Sequence, residues 1–136
     1  MSTFHLQIVT VDGSRFDGEA EAVSVRATTG DVTILAHHAD YVAALGMGAA
    51  FVVTEGQKRW AAAMGGMLAA TGGSVRLIAT TFEWADEIDV DRARAALEKA
   101  QAQLERPGLS GEERAALTAA MRRAQVRLGV AAKRTS

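Results

Sequence analysis

The residues best suited to chemistry lie in the segment EIDVDRARAAL, which covers Glu87–Leu97. Asp89 stands just before a run with helical spacing, and Arg92 follows it three residues later. A carboxylate at the start of a helix can accept hydrogen bonds from the first backbone N–H groups, which stabilises the helix by about 1 kcal/mol. A guanidinium one turn later can form a forked contact with a phosphate. The segment therefore predicts a helix cap, part of a nucleotide site, or both.

Basic side chains are concentrated near the C-terminus. Residues 1–87 carry 5 basic and 10 acidic side chains, whereas residues 88–136 carry 10 basic and 6 acidic ones. No acid follows Glu113, but six bases do: Arg114, Arg122, Arg123, Arg127, Lys133 and Arg134. Such a segment predicts contact with an acidic partner or a solvated helix face. A nucleic-acid module is disfavoured because the tail lacks interleaved aromatic residues and the first half of the chain is acidic.

Several other site chemistries are excluded by the residue content. The sequence has no cysteine, which rules out disulfides, Cys-ligated zinc and thiol nucleophiles. His37 and His38 are adjacent and diverge in a loop, and no third ligand is spaced for a metal. The sequence also lacks a P-loop, a nucleophile elbow and a pair of carboxylates at catalytic spacing. We therefore expect no metal site and no catalytic residues.

The first part of the chain has the spacing of β-strands. In FHLQIVT, for example, Phe4, Leu6 and Ile8 share one face, and a period near two continues to about Thr81. Turn signals interrupt the pattern at Asp12-Gly13, Thr29-Gly30-Asp31, Glu55-Gly56, Gly65-Gly66 and Thr71-Gly72-Gly73. No segment before Ala85 is long and helical enough for a βαβ unit. The sequence predicts an N-terminal antiparallel β-sandwich over residues 1–86.

From Asp89 onward the spacing becomes helical. A first apolar stripe consists of Ala93, Ala96, Leu97, Ala100 and Leu104. The segment Glu105-Arg106-Pro107-Gly108 breaks this helix, and Ser110 with Glu113 forms a capping-box pattern for a second one. The second stripe consists of Leu117, Ala120, Met121, Ala124 and Leu128. The sequence predicts a C-terminal antiparallel two-helix hairpin over residues 87–136, with a break at about residues 105–110.

The composition of the two stripes predicts a hairpin of low stability. Most of the stripe residues are alanine, and each buries little apolar area at about 25 cal/mol per Å². Helices of about 16 residues are marginal by themselves in water. We therefore expect the hairpin to dock on the sandwich and to undock from it more readily than the sandwich unfolds.

The order and spacing of these segments resemble the epsilon subunit of the bacterial F-type ATP synthase, called delta in mitochondria. IVTVDGSRFDGEAEAVSVRATTGDVTIL (residues 8–35) is similar to the family's opening strands and T-x-x-G turn. HADYVAALGMG (38–48) is similar to the H-A-P-L-x-x-x-L-x-x-G segment, and MGGMLAATGGSVRLIAT (64–80) to the following G-G-x-x-x-V strand pair. EIDVDRARAALEKAQAQL (87–104) is similar to the [IL]-D-x-x-R-A helix start. Ala36 and Asp40 replace two prolines of the family, so we expect a less rigid loop there.

The resemblance implies a non-catalytic rotor subunit of the central stalk. The sandwich would bind the gamma subunit and rest on the c-ring, coupling proton-driven rotation to the catalytic head. The hairpin would permit turnover when folded on the sandwich and inhibit ATP hydrolysis when extended towards an acidic segment of the beta subunit. The chain would be a single copy in a hetero-oligomer, peripheral to the cytoplasmic face of the bacterial inner membrane.

The resemblance also implies contact residues. Contacts with the c-ring or gamma are expected at Asp31, His37, His38 and Asp40. Contacts with beta are expected at Arg114, Arg122, Arg123 and Arg127. No cofactor is required, but some bacterial members bind ATP as a regulatory ligand, and the corresponding set here is Ile88, Asp89, Arg92, Ala93, Arg122, Arg123 and Arg127. The alternative is a free-standing nucleotide sensor or adaptor with the same fold, which would not co-purify with gamma.

Overall fold

The structure, a computed structural model, describes residues 2–133, so Arg134 of the basic tail lies outside the described residues. The strands are β1 Phe4–Thr10, β2 Gly13–Ala20, β3 Ala22–Ala27, β4 Gly30–Leu35, β5 Tyr41–Ala44, β6 Met47–Thr54, β7 Gln57–Thr71 and β8 Ser74–Trp84. A 3-10 turn at Ala85–Glu87 leads into helices α1 Val90–Leu104 and α2 Gly111–Lys133. Neither helix is long and apolar enough to cross a membrane.

The strands form the expected β-sandwich. They lie in one sheet with the order β2-β1-β8-β7-β6-β3-β4, and β5 pairs with β7. The sheet folds over so that its two halves face each other. One core cluster collects inward side chains from both halves, including Leu6 of β1, Val25 of β3, Val52 of β6 and Leu77 of β8. The sandwich and the two helices that follow it agree with the fold class that the sequence predicts.

One strand pair differs from the antiparallel pairing expected throughout. The alternation predicted for β1 is confirmed, because Phe4, Leu6 and Ile8 are all buried. β1 pairs with β8 in parallel, however, with Leu6 opposite Val75. Turn signals between neighbouring strands predict antiparallel hairpins, but they contain no information on a pair so distant in the chain.

Strand β7 bends at Gly65-Gly66, and the bend shifts its alternation. Before the bend Ala62 and Met64 point away from the sandwich core, and beyond it Leu68 points into the core. A Cβ atom on Gly66 would lie 1.8 Å from the carbonyl oxygen of Ile78, and its φ is +107°. Only glycine fits this position without a shift of the backbone. On one edge, β7 pairs with β6 up to Met64 and with β5 from Met67.

Both predicted helix starts are confirmed. The Asp89 carboxylate accepts a hydrogen bond from the backbone N–H of Arg92 at 3.1 Å. At the second helix, the Glu113 N–H donates to Ser110 Oγ at 3.0 Å, and the Ser110 N–H donates to Glu113 Oε1 at 3.1 Å. These contacts satisfy N–H groups that have no partner inside their helix. The hairpin therefore has two well-formed N-termini.

Helix α2 has a second apolar face, which the single stripe predicted from the sequence does not include. Within the hairpin, Ala100 of α1 and Ala124 of α2 are buried, as expected for facing stripes. Val126 and Val130 lie on another side of α2 and pack on the sandwich, and Ala131, which points in nearly the same direction as Ala124, joins them there. We call this contact the seam, and its buried residues are Ala62, Met64, Ala85, Ile88, Val130 and Ala131. The hairpin is therefore docked on the sandwich in this structure.

Candidate functional site

A groove of about 560 Å³ lies between the sandwich and the helical hairpin. We call it the hairpin groove. Sandwich residues on its wall are Thr10, Asp12, Arg15, Thr80, Thr81, Phe82 and Glu83. The joint and the helices supply Glu87, Asp89, Arg92, Ala93, Ala96, Ala120, Arg123, Ala124 and Arg127. The groove exists only while the hairpin is docked, because both parts of the chain line it.

Acidic and basic side chains both line the groove, and four of the eight form ion pairs. The Arg127 Nε–H donates to Glu83 Oε1 at 2.5 Å, and Arg15 forms an ion pair with Glu87. Asp89 is engaged as the cap of α1. Among residues 2–133, Arg92 and Arg123 form no ion pair, and both line the groove. These two guanidinium groups are the ones most available to an anionic ligand.

The residues predicted to bind ATP are only partly brought together. Five of the seven line the hairpin groove: Asp89, Arg92, Ala93, Arg123 and Arg127. Ile88 is 5% exposed and belongs to the seam. Arg122 lies on another side of α2 and lines a separate groove with Arg26 and Met47. Successive residues of a helix point about 100° apart, and this rotation turns Arg122 away from the groove that Arg123 and Ala124 line.

Within residues 2–133, two polar contacts are seen between the last turns of α2 and the sandwich. One is the Arg127–Glu83 ion pair, in which both side chains are about one-third exposed. The other is formed by Lys133, whose Nζ lies 4.4 Å from the ring centroid of Trp60. An ammonium at this distance is attracted to the face of the indole ring. The docked position of the hairpin thus combines a small apolar seam with one ion pair and one cation–π contact.

The four arginines predicted to contact the beta subunit differ in exposure. Arg114 and Arg122 are exposed, whereas Arg123 and Arg127 are half-buried at the hairpin groove. Arg127 is also held by Glu83. A partner that approaches the docked hairpin therefore meets two of the four guanidinium groups, and undocking would expose the other two.

The residues predicted to contact the c-ring or gamma fall into two groups. Asp31 follows the β3–β4 turn and pairs with Arg26 at 3.1 Å. His37, His38 and Asp40 lie beyond the opposite end of β4, about 13 Å away at the usual rise per strand residue. There the His38 ring packs edge-on to Phe4, and Asp40 accepts a hydrogen bond from the Gly72 N–H at 3.2 Å. One flat contact at one end of the sandwich cannot include both groups.

An apolar strip is exposed on the outer face of β5, β7, β8 and β1. Val42, Met67 and Ile78 are 58%, 50% and 50% exposed. Val42 is opposite Ala69, Met67 is opposite both Ala44 and Ile78, and Ile78 is opposite Val9. Cross-strand partners project from the same face of a sheet. The apolar strip therefore comprises Val9, Val42, Ala44, Met67, Ala69 and Ile78, and Arg76 lies on the same face opposite Ala69.

The joint between sandwich and hairpin contains residues that sequence patterns did not reveal. Glu87 Oε1 accepts a hydrogen bond from the Trp84 N–H at 2.9 Å and one from Arg15. Burial alone would raise the pKa of Glu87, but the Trp84 N–H, Arg15 and then Arg59 outweigh it and lower that pKa below 4.5. Arg15 and Glu83 were also missed. Their partners lie 72 and 44 residues away. The opposite charge balance of the two chain halves was a sequence signal for the Arg127–Glu83 pair, but not for Arg15–Glu87, since both of these residues lie in the first half.

The residues of the described chain offer no site for a metal. Among residues 2–133, no group of three or more His, Cys, Asp or Glu side chains is placed to hold a metal ion. His5 does lie near two carboxylates, 2.9 Å from Asp17 and 3.4 Å from Glu19, but these are ion-pair contacts on the surface of the sheet. The chemistry that the hairpin groove offers is the binding of an anion by arginine.

Acid should weaken the joint through Glu87. Because the pKa of Glu87 is lowered in the folded protein, its contribution to stability is present above about pH 4.5 and is lost as the pH falls through the folded-state value. We expect the unfolding free energy of the unaltered chain to exceed that of Glu87→Gln at pH 7, and the difference to shrink from about pH 5 towards pH 3. Urea denaturation at each pH measures this, with Asp86→Asn as a control that shows no such trend. A constant difference between the chain and Glu87→Gln would contradict the assignment.

Comparison with known proteins identifies the family. The ATP synthase delta/epsilon chain β-sandwich domain matches residues 3–85, and the long α-helix domain of the same chains matches residues 86–132. The ATP synthase epsilon chain of Bacillus pumilus is 39% identical over 133 residues, which cover 98% of this chain and 100% of that one. The epsilon chain of Bacillus velezensis is 40% identical over 131 residues, covering 96% and 98%.

Solved structures share the fold. A chain in the cryo-EM structure of the Euglena gracilis mitochondrial ATP synthase (OSCP/F1/c-ring) has a TM-score of 0.81 at 23% identity and covers 92% of this chain and 79% of its own. A chain of the Tetrahymena thermophila mitochondrial ATP synthase (central stalk/c-ring) has a TM-score of 0.56 at 11% identity, covering 97% and 96%. The resemblance seen in the sequence is confirmed: the chain belongs to the delta/epsilon chain family of ATP synthase, and like the epsilon chains it matches it is a non-catalytic accessory subunit of that complex.

Proposed function

We propose that this chain is a rotor subunit of the central stalk of a proton-translocating ATP synthase on the cytoplasmic face of the bacterial inner membrane. Its sandwich binds gamma and rests on the c-ring, and its hairpin regulates ATP hydrolysis by docking and undocking. The assemblies named for the Euglena and Tetrahymena chains, which include the c-ring, support this position. The observation that carries the regulatory part is the limited contact between hairpin and sandwich.

The seam is small and is flanked by open space. Its buried side chains from α2 are Val130 and Ala131 only. The hairpin groove of about 560 Å³ lies beside it, and two further grooves of about 600 and 480 Å³ also run between α2 and the sandwich. A fully packed interface would leave few voids larger than a water molecule. This arrangement supports a hairpin that leaves the sandwich at modest energetic cost.

Undocking also changes the charge that the hairpin presents. Arg123 and Arg127 would leave the acidic surroundings of the groove and join Arg114 and Arg122 on an exposed helix. Four guanidinium groups on one acid-free helix segment are complementary to an acidic segment of a beta subunit. The undocked hairpin would thus be attracted to an acidic partner more strongly than the docked hairpin.

Loss of the Arg127–Glu83 pair should strengthen inhibition. Glu83→Gln removes about 1 kcal/mol from docking and shifts the docking equilibrium about fivefold towards the undocked hairpin, while it leaves Arg127 able to bind beta. We expect lower ATP hydrolysis by the reconstituted complex than with the unaltered chain. Arg127→Gln loses both contacts and should inhibit less than Glu83→Gln. Glu98→Gln, an exposed glutamate on α1, is the matched control. Equal ATPase rates for Glu83→Gln and the control would refute the role of the Arg127–Glu83 pair in docking.

The apolar strip is the surface that we assign to gamma. Exposed contiguous apolar area on a soluble domain indicates a contact site. The strip lies in the middle of the sheet, and further exposed apolar side chains, Leu35 and Tyr41, lie at the nearby strand ends. The two groups of charged candidates, Asp31 on one side and His37, His38 and Asp40 on the other, lie at opposite ends of the sandwich. With gamma on the outer face, a c-ring at one end of the sandwich would contact only one of these two groups.

A charge in the apolar strip should weaken gamma binding. Met67→Asp and Ile78→Asp each place a carboxylate at the centre of the interface, and we expect at least about tenfold weaker binding, or 1.4 kcal/mol. Titration calorimetry with purified gamma measures the change. Val11→Asp is the matched control, because Val11 is 93% exposed in the β1–β2 turn outside the strip. Failure of the unaltered chain to bind gamma would favour the alternative, a free-standing nucleotide sensor.

We further propose that the hairpin groove binds ATP as a regulatory ligand. Its volume lies in the usual range for ligand sites, and Arg92 and Arg123 provide forked donors for phosphate. Alanines of both helices, among them Ala93 and Ala96 of α1, provide a flat apolar wall for a base. A ligand that contacts α1, α2 and the sandwich together binds only the docked posture. ATP binding would therefore stabilise the docked position of the hairpin on the sandwich.

The two adjacent arginines of α2 give a sharp test of this site. Arg123→Ala and Arg92→Ala should weaken ATP binding at least about tenfold, because each removes a guanidinium from the groove. Arg122→Ala should leave the affinity nearly unchanged, because that side chain lines another groove. Isothermal titration of the isolated chain with ATP measures all three. No heat of binding from the unaltered chain, or an equal loss for Arg122→Ala, would contradict the proposed site.

A further inference from the structure

Three strands converge on the point where the chain leaves the sandwich. Trp84, the last residue of β8, is 4% exposed and packs edge-on to Phe82 with ring centroids 4.9 Å apart. Phe16 of β2 approaches the same indole at 6.4 Å, and the Arg59 guanidinium of β7 lies 3.8 Å from its ring centroid. An arginine stacked on a partly desolvated indole is attracted to it electrostatically. The exit point is therefore fixed by β2, β7 and β8.

The next three residues are held to the same place by Glu87. Its carboxylate accepts a hydrogen bond from the Trp84 N–H at 2.9 Å and so closes the 3-10 turn Ala85–Glu87 on itself. Arg15 of β2 donates to the same oxygen. Charge-assisted hydrogen bonds of this kind are about twice as strong as neutral ones. The turn is thus bound to the sandwich by contacts that do not involve the hairpin.

The Ile88 N–H donates to the Ala85 carbonyl at 3.4 Å and closes the turn, but among residues 2–133 neither Ile88 nor Asp89 forms a side-chain hydrogen bond with the sandwich. Ile88 is buried in the seam together with Val130 of α2, so its surroundings change when the hairpin leaves. Asp89 contacts the first turn of α1, which moves with the hairpin. Ala85 also packs on α2 in the seam, but the turn has polar contacts with Trp84 and Arg15 that remain when the hairpin leaves. Such contacts end at Glu87.

We infer that Arg15 and Arg59 are positioning residues that clamp Glu87 and Trp84 to the sandwich, so that the hairpin pivots at Ile88–Asp89 and leaves the turn Ala85–Glu87 behind. Arg15 acts through the carboxylate of Glu87, and Arg59 acts through the indole of Trp84. The clamp sets the direction in which α1 begins and limits the range of positions that an undocked hairpin can reach. The pivot part of this inference rests on the movable hairpin proposed above, whereas the clamp itself does not.

Distance measurements on the full chain test the pivot. The chain has no cysteine, so pairs of spin labels can be introduced at Arg76 with Asp86 and at Arg76 with Glu98, all of them exposed positions. Val130→Asp places a charge in the seam and undocks the hairpin. We expect the 76–98 distance to change from one narrow peak to a broad distribution and the 76–86 distance to stay narrow. Broadening of both distances would overturn the pivot. A narrow 76–98 distance would instead refute the movable hairpin and the proposed regulation with it.

The clamp is tested by variants of Arg15 in the docked chain. Arg15→Ala should broaden the 76–86 distance, and Arg15→Lys, which retains the charge, should restore most of the narrow peak. In a Glu87→Gln background, Arg15→Ala should add no further broadening, because the two residues act through one contact. Arg26→Ala is the matched control, since it also removes an ion pair from the sandwich surface. If Arg15→Ala does not fold, Glu87→Gln alone must broaden the distance. An unchanged 76–86 distance in either variant overturns the clamp.

Discussion

The docked hairpin depends on apolar side chains on two faces of α2. One face, centred on Ala124, packs against α1, and the other, centred on Val130, packs on the sandwich. Helix α1 packs mainly on α2, so the sandwich holds α1 largely through its partner helix. A buried valine contributes about 1.5–3 kcal/mol as an upper estimate, and a buried alanine contributes much less. The seam is therefore worth a few kcal/mol, which is comparable to the free energies of 1–3 kcal/mol that couple ligand sites in regulated proteins.

The arginines of α2 have several mutually exclusive partners. Arg127 can pair with Glu83 in the docked state, contact a phosphate in the groove, or meet an acidic surface after undocking. A ligand that binds only the docked state stabilises it by about 1.4 kcal/mol when its concentration is tenfold above its dissociation constant. That amount is similar to one ion pair at the seam. The nucleotide and the acidic partner that we propose would therefore shift the same equilibrium in opposite directions without any large rearrangement of the sandwich.

Features that depend on neighbours in the chain could be predicted from the sequence. The cap at Asp89, the Ser110–Glu113 box and the alternation of β1 each follow from a few adjacent residues. The parallel β1–β8 pair, the Arg15–Glu87 pair and the second face of α2 join residues that are far apart in the chain. Val126 and Val130 were visible in the sequence but do not belong to the stripe of α2 that faces α1. A helix that packs against two partners has two apolar stripes, and the sequence analysis identified only one. Five of the seven residues expected to contact ATP line one groove. Residues three or four apart lie on the same side of a helix, so the spacing that predicts α1 and α2 also predicts which of their side chains are neighbours.

The bend in β7 explains how one strand serves two separate surfaces. An uninterrupted strand would place every second residue on the same face, so Ala62, Met64 and Leu68 would all point the same way. The shift at Gly65-Gly66 instead leaves Ala62 and Met64 outward in the seam, turns Leu68 into the core, and places Met67 outward in the apolar strip. Seam and strip therefore occupy different stretches of the sandwich exterior. A partner bound to the strip need not compete with the hairpin for surface. The docking and undocking that we propose for the hairpin would therefore not require the sandwich to release a partner bound to the strip.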